Sequence, residues 1–196
     1  NYDFHNLYKE LLNFCTVDLS AFYFDIRKDI LYCDPVNSEK RKSTIIILKV
    51  ILNSLLKWFA PILSFTTEEI YRLIKQNDKS IHLEQFINFP KSFENNELNN
   101  KWQKLIQIRD VSNISIEEKR SSKEIGSSLE ANIEIKLKKE YLEISKNIDF
   151  SELCITSQAL ITEGFDKNII VETTKAKGNK CPICWKISVD PCKRHS

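Results

Sequence analysis

RKSTIIILKVILNSLLKWFAPILSFTTEEIY, from Arg41 to Tyr71, is the stretch around which the rest of the chain has to be arranged. Between Ile45 and Phe59 it places Ile, Leu, Val, Trp and Phe on nearly every side of a helix, with Lys49, Asn53, Ser54 and Lys57 as the main polar interruptions. Such a helix is expected to be largely enclosed by neighbours and to supply the core. Ten or so buried apolar side chains, at about 1.5–3 kcal/mol each, give a gross stabilisation on the order of 20 kcal/mol before entropy is subtracted. Pro61 cannot continue the helix, and Thr66 or Thr67, beside Glu68 and Glu69, is suited to cap a new one whose dipole favours those carboxylates.

Working outward, Asp3 can cap a helix whose Phe4, Leu7, Tyr8, Leu11, Leu12 and Cys15 make one apolar stripe. After Asp18 a second helix carries Leu19, Phe22, Tyr23, Ile26 and Ile30 and ends near Cys33-Asp34-Pro35. Ser38 caps the central helix, with Arg41 three residues on, and a helix over Thr66–Lys75 completes an antiparallel four-helix bundle. From Gln76 to Asn100 the composition is that of a polar connector, interrupted by Ile81-His82-Leu83 and Phe86. Helical periodicity returns with Trp102, Leu105, Ile106, Ile108, Arg109 and Val111. Gly126 then permits a tight reversal, and Ser127 or Ser128 can cap or turn before Ile133, Ile135 and Leu137 alternate as a strand. A helix through Tyr141, Leu142 and Ile144 and strands around Cys154–Ile161 and Ile169–Thr173 complete a small sheet. The expected fold is therefore mainly α. A helical bundle over 1–90 is followed by a connector helix with a small α/β junction unit over 91–174 and a metal-binding tail over 175–196.

Composition bounds the function classes. A chain of 196 residues with 42% apolar and 29% charged residues is an ordinary soluble globular protein, long enough for one large or two small domains. It has no run of eighteen apolar residues and no basic-then-apolar leader, so neither a membrane span nor a secretory route is expected, and the cytoplasm is the default. Without any Met, and running from Asn1 to His195-Ser196, it reads as a piece of a longer polypeptide. The net charge of +2 is uninformative, but between Glu172 and Ser196 six Lys or Arg face two acids. A basic patch of that kind is what contact with an RNA backbone requires.

The chemistry is concentrated in GNKCPICWKISVDPCKRH, Gly178 to His195. Cys181 and Cys184 form a C-x2-C knuckle, and Cys192 with His195 form C-x2-H, giving four ligands suited to tetrahedral zinc. A disulfide is the weaker reading in a reducing compartment, and a thioredoxin-like site lacks its βαβ context. With all four positions taken by protein, a structural zinc is expected rather than a hydrolytic one. Binding is worth on the order of 10–16 kcal/mol, enough to fold a tail with almost no apolar core. Cys15, Cys33 and Cys154 sit in apolar contexts as packing residues. His5 and His82 are isolated, and Ser127 and Ser128 have no His or Asp constellation, so no catalytic residue is expected. Arg27, Arg41 and Lys42, near helix ends, are the candidate phosphate contacts of the bundle. Lys28 and Asp29 read as a local ion pair and Tyr32 as a core aromatic.

Four motifs carry a family resemblance. The apolar helix running into APIL-x-FT-x-EEIY, Ala60 to Tyr71, resembles the anticodon-binding helical domain of the class I aminoacyl-tRNA synthetases for isoleucine, valine and leucine. In LSAFYFDIRKDILY the matching positions are Leu19, Ser20, Tyr23, Asp25, Lys28, Asp29, Leu31 and Tyr32. IEEKRSSKEIGSSLEANIEIKL, Ile116 to Leu137, resembles a junction of the isoleucyl-tRNA synthetase family through Glu117, Arg120, Lys123 and the run from Ile125 to Ala131. Its KRSSK is only superficially similar to the KMSKS loop. That family also has a C-x2-C-W knuckle followed by a second Cys pair. Cys181, Cys184, Trp185 and Cys192 correspond, while His195 stands where a fourth Cys is usual and the intervening loop is short.

The resemblance implies the C-terminal part of such an enzyme, which recognises isoleucine tRNA and acts as a monomer. The complete enzyme would join isoleucine to tRNA using ATP and edit mischarged valine. No HIGH-type ATP motif and no editing region occur here, so ATP and isoleucine would bind only at a catalytic domain that, like the editing domain, lies N-terminal to this segment. What remains is recognition. Lys186, Lys193 and Arg194 would contact the backbone, and Trp185 would either stack on an unpaired anticodon base or act as a lid over the zinc. Two rivals are a zinc-finger DNA-binding module, of the kind used by DNA glycosylases, and a helical protein-interaction scaffold with a stabilising zinc.

Overall fold

Neither glycine nor proline occurs between Asp3 and Asp34, and the chain stays helical across that whole distance. The computed structural model describes residues 3–76, 79–164 and 169–195. Helix α1 (Phe4–Asn13), capped by Asp3 through the Asn6 amide at 3.1 Å, passes into a π-helical stretch (Phe14–Phe24) and on into α2 (Asp25–Cys33). The expected separation into two helices near Asp18 is absent, because no residue there disfavours helical backbone; termination waits for Asp34 and Pro35.

Helix α3 (Glu39–Phe59) starts as expected, with Ser38 accepting from the Arg41 amide at 3.4 Å. Its surroundings differ from expectation. Leu56 is buried, but Ile45, Ile46, Ile47, Val50 and Leu52 are exposed, Ile46 to 60%. Among the described elements, α2, α4 (Ser64–Lys75) and a short turn at Ile81–Leu83 pack on α3, and three neighbours do not surround a helix. The buried cluster is Leu56, Ala60, Tyr71 and Ile81, near the C-terminal end of α3. Thr44 and Ser54 are also buried, each satisfied by its own helix through Lys40 O and Val50 O at 2.8 Å. Neither Thr66 nor Thr67 caps α4; the helix begins at Ser64, and Thr67 donates back to Leu63 O. Tyr32 is 81% exposed and not a core residue, lying away from the face that buries Ile26 and Ile30.

A polar latch closes this first unit, Asn1–Phe93. Glu68 accepts from Arg72 Nε at 2.7 Å and from the Ser80 hydroxyl and Ile81 amide, both at 2.9 Å. Tyr71 OH donates to Glu84 at 2.9 Å, and Lys57 bridges Glu84 at 3.3 Å and Gln85 O at 2.8 Å. Both carboxyls are held below their ordinary value, Glu68 first by the Ile81 amide and Glu84 first by the Tyr71 hydroxyl.

In the second unit, Glu94–Ser196, the first helix starts earlier than composition suggested, since Asn95 caps α5 (Asn96–Ser121) by accepting from the Leu98 amide at 2.9 Å. The reversal after α5 is carried by Lys123, at φ 61°, rather than by Gly126. After a turn at Ser128–Glu130 comes β1 (Ala131–Leu137), whose alternating burial places Ala131, Ile133, Ile135 and Leu137 on the α5 side. Helices α6 (Lys139–Ser145) and α7 (Phe150–Leu153) lead to β2 (Gln158–Glu163), parallel to β1, and β3 (Ile170–Lys175) lies antiparallel on its other side. Residues near Cys154 are not strand as expected: Asp149 caps α7 through the Ser151 and Glu152 amides, and Cys154 ends that turn. A two-stranded hairpin, β4 (Asn179–Lys180) with β5 (Ile187–Ser188), follows.

Candidate metal centre

The hairpin exists because Gly178 lies at φ 122°, where a Cβ would stand 2.2 Å from the carbonyl of Ser188. Between the strands the Cys181 amide donates to Lys186 O at 2.9 Å and the Trp185 amide to Cys181 O at 3.0 Å, with Trp185 in the left-handed region at φ 65°. This tight turn brings the side chains of Cys181 and Cys184 to one side. A second turn, closed by the His195 amide on Cys192 O at 3.0 Å, brings Cys192 and His195 to meet them.

The ligand atoms of Cys181, Cys184, Cys192 and His195 all lie within 4.8 Å of one another, and the group could hold a metal ion. Cys184 and Cys192 sulfurs are 3.9 Å apart, and His195 Nδ1 lies 3.5 Å from Cys181 Sγ and 3.4 Å from Cys192 Sγ. The ring therefore faces the cluster with Nδ1. Backbone amides of Cys184 and Ile183 bring the Cys181 thiol down to about 6, whereas burial pushes Cys184 up to about 11. Cys154 is different: burial takes its thiol to about 11 and it belongs to the packing around α5. His5 and His82 lie outside the cluster.

The candidate nucleic-acid contacts are distributed. Arg27 lies over the Tyr23 ring at 5.8 Å, Arg41 donates to Asp34 O at 2.8 Å, and Lys42 stands 3.9 Å from Glu39. In the tail, Trp185 is 58% exposed with the Lys180 ammonium 5.2 Å from its ring, and Lys193 is exposed. Arg194 is half-buried and Lys186 Nζ donates to Ser151 Oγ at 3.1 Å. The sequence reading missed Asp149, Ser151 and Ser157, which join the hairpin to the sheet. Asp149 stays below its ordinary value although burial opposes its charge, because the Ser151 hydroxyl, the Glu152 amide and Lys186 together outweigh that burial. With Asn132, Gln158 and Thr174 the three line an open cleft of about 600 Å³ on the outer face of the sheet. No local motif marks them, since serine at separations of 30 and 35 residues has no periodicity to betray it.

Residues 1–137 match the family described as anticodon-binding domain of tRNA ligase, and the chain belongs to that family. The chain is 66% identical over 196 residues to the isoleucine–tRNA ligase of Pelagibacter ubique (strain HTCC1062), covering 100% of this chain and 22% of that protein. It is 39% identical over 201 residues to the isoleucine–tRNA ligase of Bartonella henselae (97% of this chain, 21% of that protein). Against that of Methylacidiphilum infernorum (isolate V4) identity is 41% over 189 residues (96% and 20%). The chain spans about a fifth of the length of these curated relatives. The metal cluster lies beyond the residues matched to the family.

Proposed function

We propose that this chain is the C-terminal, tRNA-recognising part of a cytoplasmic, monomeric isoleucine–tRNA ligase. The observation that carries this is the 66% identity to such a ligase along all 196 residues, metal hairpin included. The complete enzyme would attach isoleucine to its tRNA with ATP and edit mischarged valine, through catalytic and editing domains outside this chain. The helices over 1–90 act as an antiparallel anticodon-stem bundle, residues 91–174 as a junction and 175–196 as a tail on the anticodon loop. No described helix is long and apolar enough to cross a membrane. Family membership weighs against the DNA-binding and scaffold readings.

Zinc is the ion we assign to the cluster, as a structural knuckle. Tetrahedral zinc with sulfur at about 2.3 Å and nitrogen at about 2.0–2.1 Å requires separations of roughly 3.8 Å between sulfurs and 3.6 Å from sulfur to nitrogen. Three of the six separations, 3.9, 3.5 and 3.4 Å, lie close to that set, and all six are within 4.8 Å. Bound there, zinc supplies cross-linking and no reaction. Arg27, Arg41, Lys42, Lys193 and Arg194 would hold phosphates, and the exposed Trp185 ring favours base stacking over a lid. Lys186, turned toward Ser151, keeps a smaller share of phosphate contact.

The test is binding of the zinc-loaded protein to isoleucine tRNA at fixed moderate salt, against valine tRNA and duplex DNA, repeated after chelation. Preference for isoleucine tRNA that fades on chelation is expected. Equal affinity for all three would reduce the interaction to unspecific electrostatics.

A further inference from the structure

The metal hairpin has little apolar material with which to hold itself against the sheet, since Ile183, Trp185 and Val189 are all more than half exposed. Its links to the sheet are polar. Ser157, just before β2 and 9% exposed, ties three segments through one hydroxyl. It accepts from the Ile187 amide of β5 at 2.6 Å and donates to Leu129 O, in the turn before β1, at 2.5 Å. The Ser157 amide donates to Ala131 O at 3.0 Å, so the hydroxyl is itself rigidly placed. Beside it, Lys186 Nζ donates to Ser151 Oγ at 3.1 Å, and that hydroxyl donates to the Asp149 carboxylate at 2.8 Å. Two consecutive residues of the hairpin, Lys186 and Ile187, are thus held by two serines, Ser151 within α7 and Ser157 just before β2.

We infer that Ser157 and Ser151 form a latch that sets the orientation of the metal hairpin on the sheet, so that the basic tail meets RNA already in its binding pose. The inference rests on the reading of this chain as the tRNA-binding part of a ligase. Zinc closes the hairpin on itself but does not tie it to anything else, because all four ligand residues lie between Cys181 and His195. Orientation has to come from outside the metal site. Ala176 is buried and its amide donates to Glu130 O at 2.7 Å, so only Lys177 and Gly178 separate the hairpin from the sheet, and a tail held in one pose loses less freedom on binding than one swinging on those two residues. Ser151 and Ser157 are positioning residues that act through the hairpin, and neither is a metal ligand.

The test uses the full-length ligase with Ser151→Ala and Ser157→Ala combined, and Ser157→Thr as the conservative variant that keeps a hydroxyl. Metal content, hydrogen exchange over residues 179–190 and affinity for isoleucine tRNA are measured together. The double variant is expected to keep its metal, to exchange the Ile187 amide about tenfold faster and to bind tRNA about tenfold more weakly, with Ser157→Thr recovering most of the protection. Unchanged exchange would overturn the latch. Loss of metal would overturn it too, by showing that the serines support the metal site itself. Faster exchange with unaltered tRNA affinity would overturn the positioning role. Failure of the tRNA reading is seen separately, as wild-type affinity that is indifferent to chelation.

Discussion

Trp185 sits in the left-handed region, which costs a residue with a Cβ about 1–2 kcal/mol and costs glycine nothing. The turn and the ring at that position are therefore separable. Trp185→Gly is expected to leave metal affinity equal or higher while weakening tRNA binding by the roughly 1–3 kcal/mol of one stacked base, as read from paired metal and tRNA titrations. Unaltered tRNA affinity would remove the ring from the interface. His195 supplies the complementary case. With Nδ1 facing two sulfurs, His195→Ala should lower zinc affinity and leave the helical circular dichroism intact, whereas unchanged zinc retention would exclude it as a ligand.

At the scale of elements, α3 makes a prediction opposite to its hydropathy. Leu56→Ala, in the buried cluster, should cost about 2–5 kcal/mol in denaturant unfolding, while Ile46→Ala, equally apolar in sequence, should stay within about 0.5 kcal/mol. The latch of α4 on the Ser80–Gln85 segment has a pH signature. Because Glu68 and Glu84 are held below the ordinary 4.5, their contribution is fully present above that pH and is lost as pH falls through their lowered values. Hydrogen exchange at Ile81 should rise on acidification in that window, and Glu68→Gln, which replaces the acceptor of the Ile81 amide, should flatten the dependence. These elements also show what a sequence can tell. Ser38, Asp3 and the cysteine spacing were legible because caps and knuckles are local. The exposure of Ile46, the burial of Ser54 and the roles of Ser151 and Ser157 were not, since each depends on which distant segment arrives next to it. The continuous run from α1 to α2 was illegible for another reason: the apolar stripe changes near Asp18, but helical backbone needs a breaker to stop and none occurs there.

For the whole molecule, chelation and salt should act on different parts. Metal removal is expected to abolish protection in the hairpin while the helical signal of both units persists, measured by exchange and circular dichroism on one sample. Raising salt should instead weaken tRNA binding through every phosphate contact, without altering metal content. The position of the metal ligands has a kinetic consequence. The cluster spans only the stretch from Cys181 to His195, and closing a loop of that order takes roughly 10–100 ns, far faster than pairing distant strands. The hairpin can therefore be dismantled and remade while the sheet beneath it stays folded. If the cluster carries an ion and loses it under metal shortage, resupply alone, without new synthesis, is expected to restore the tail.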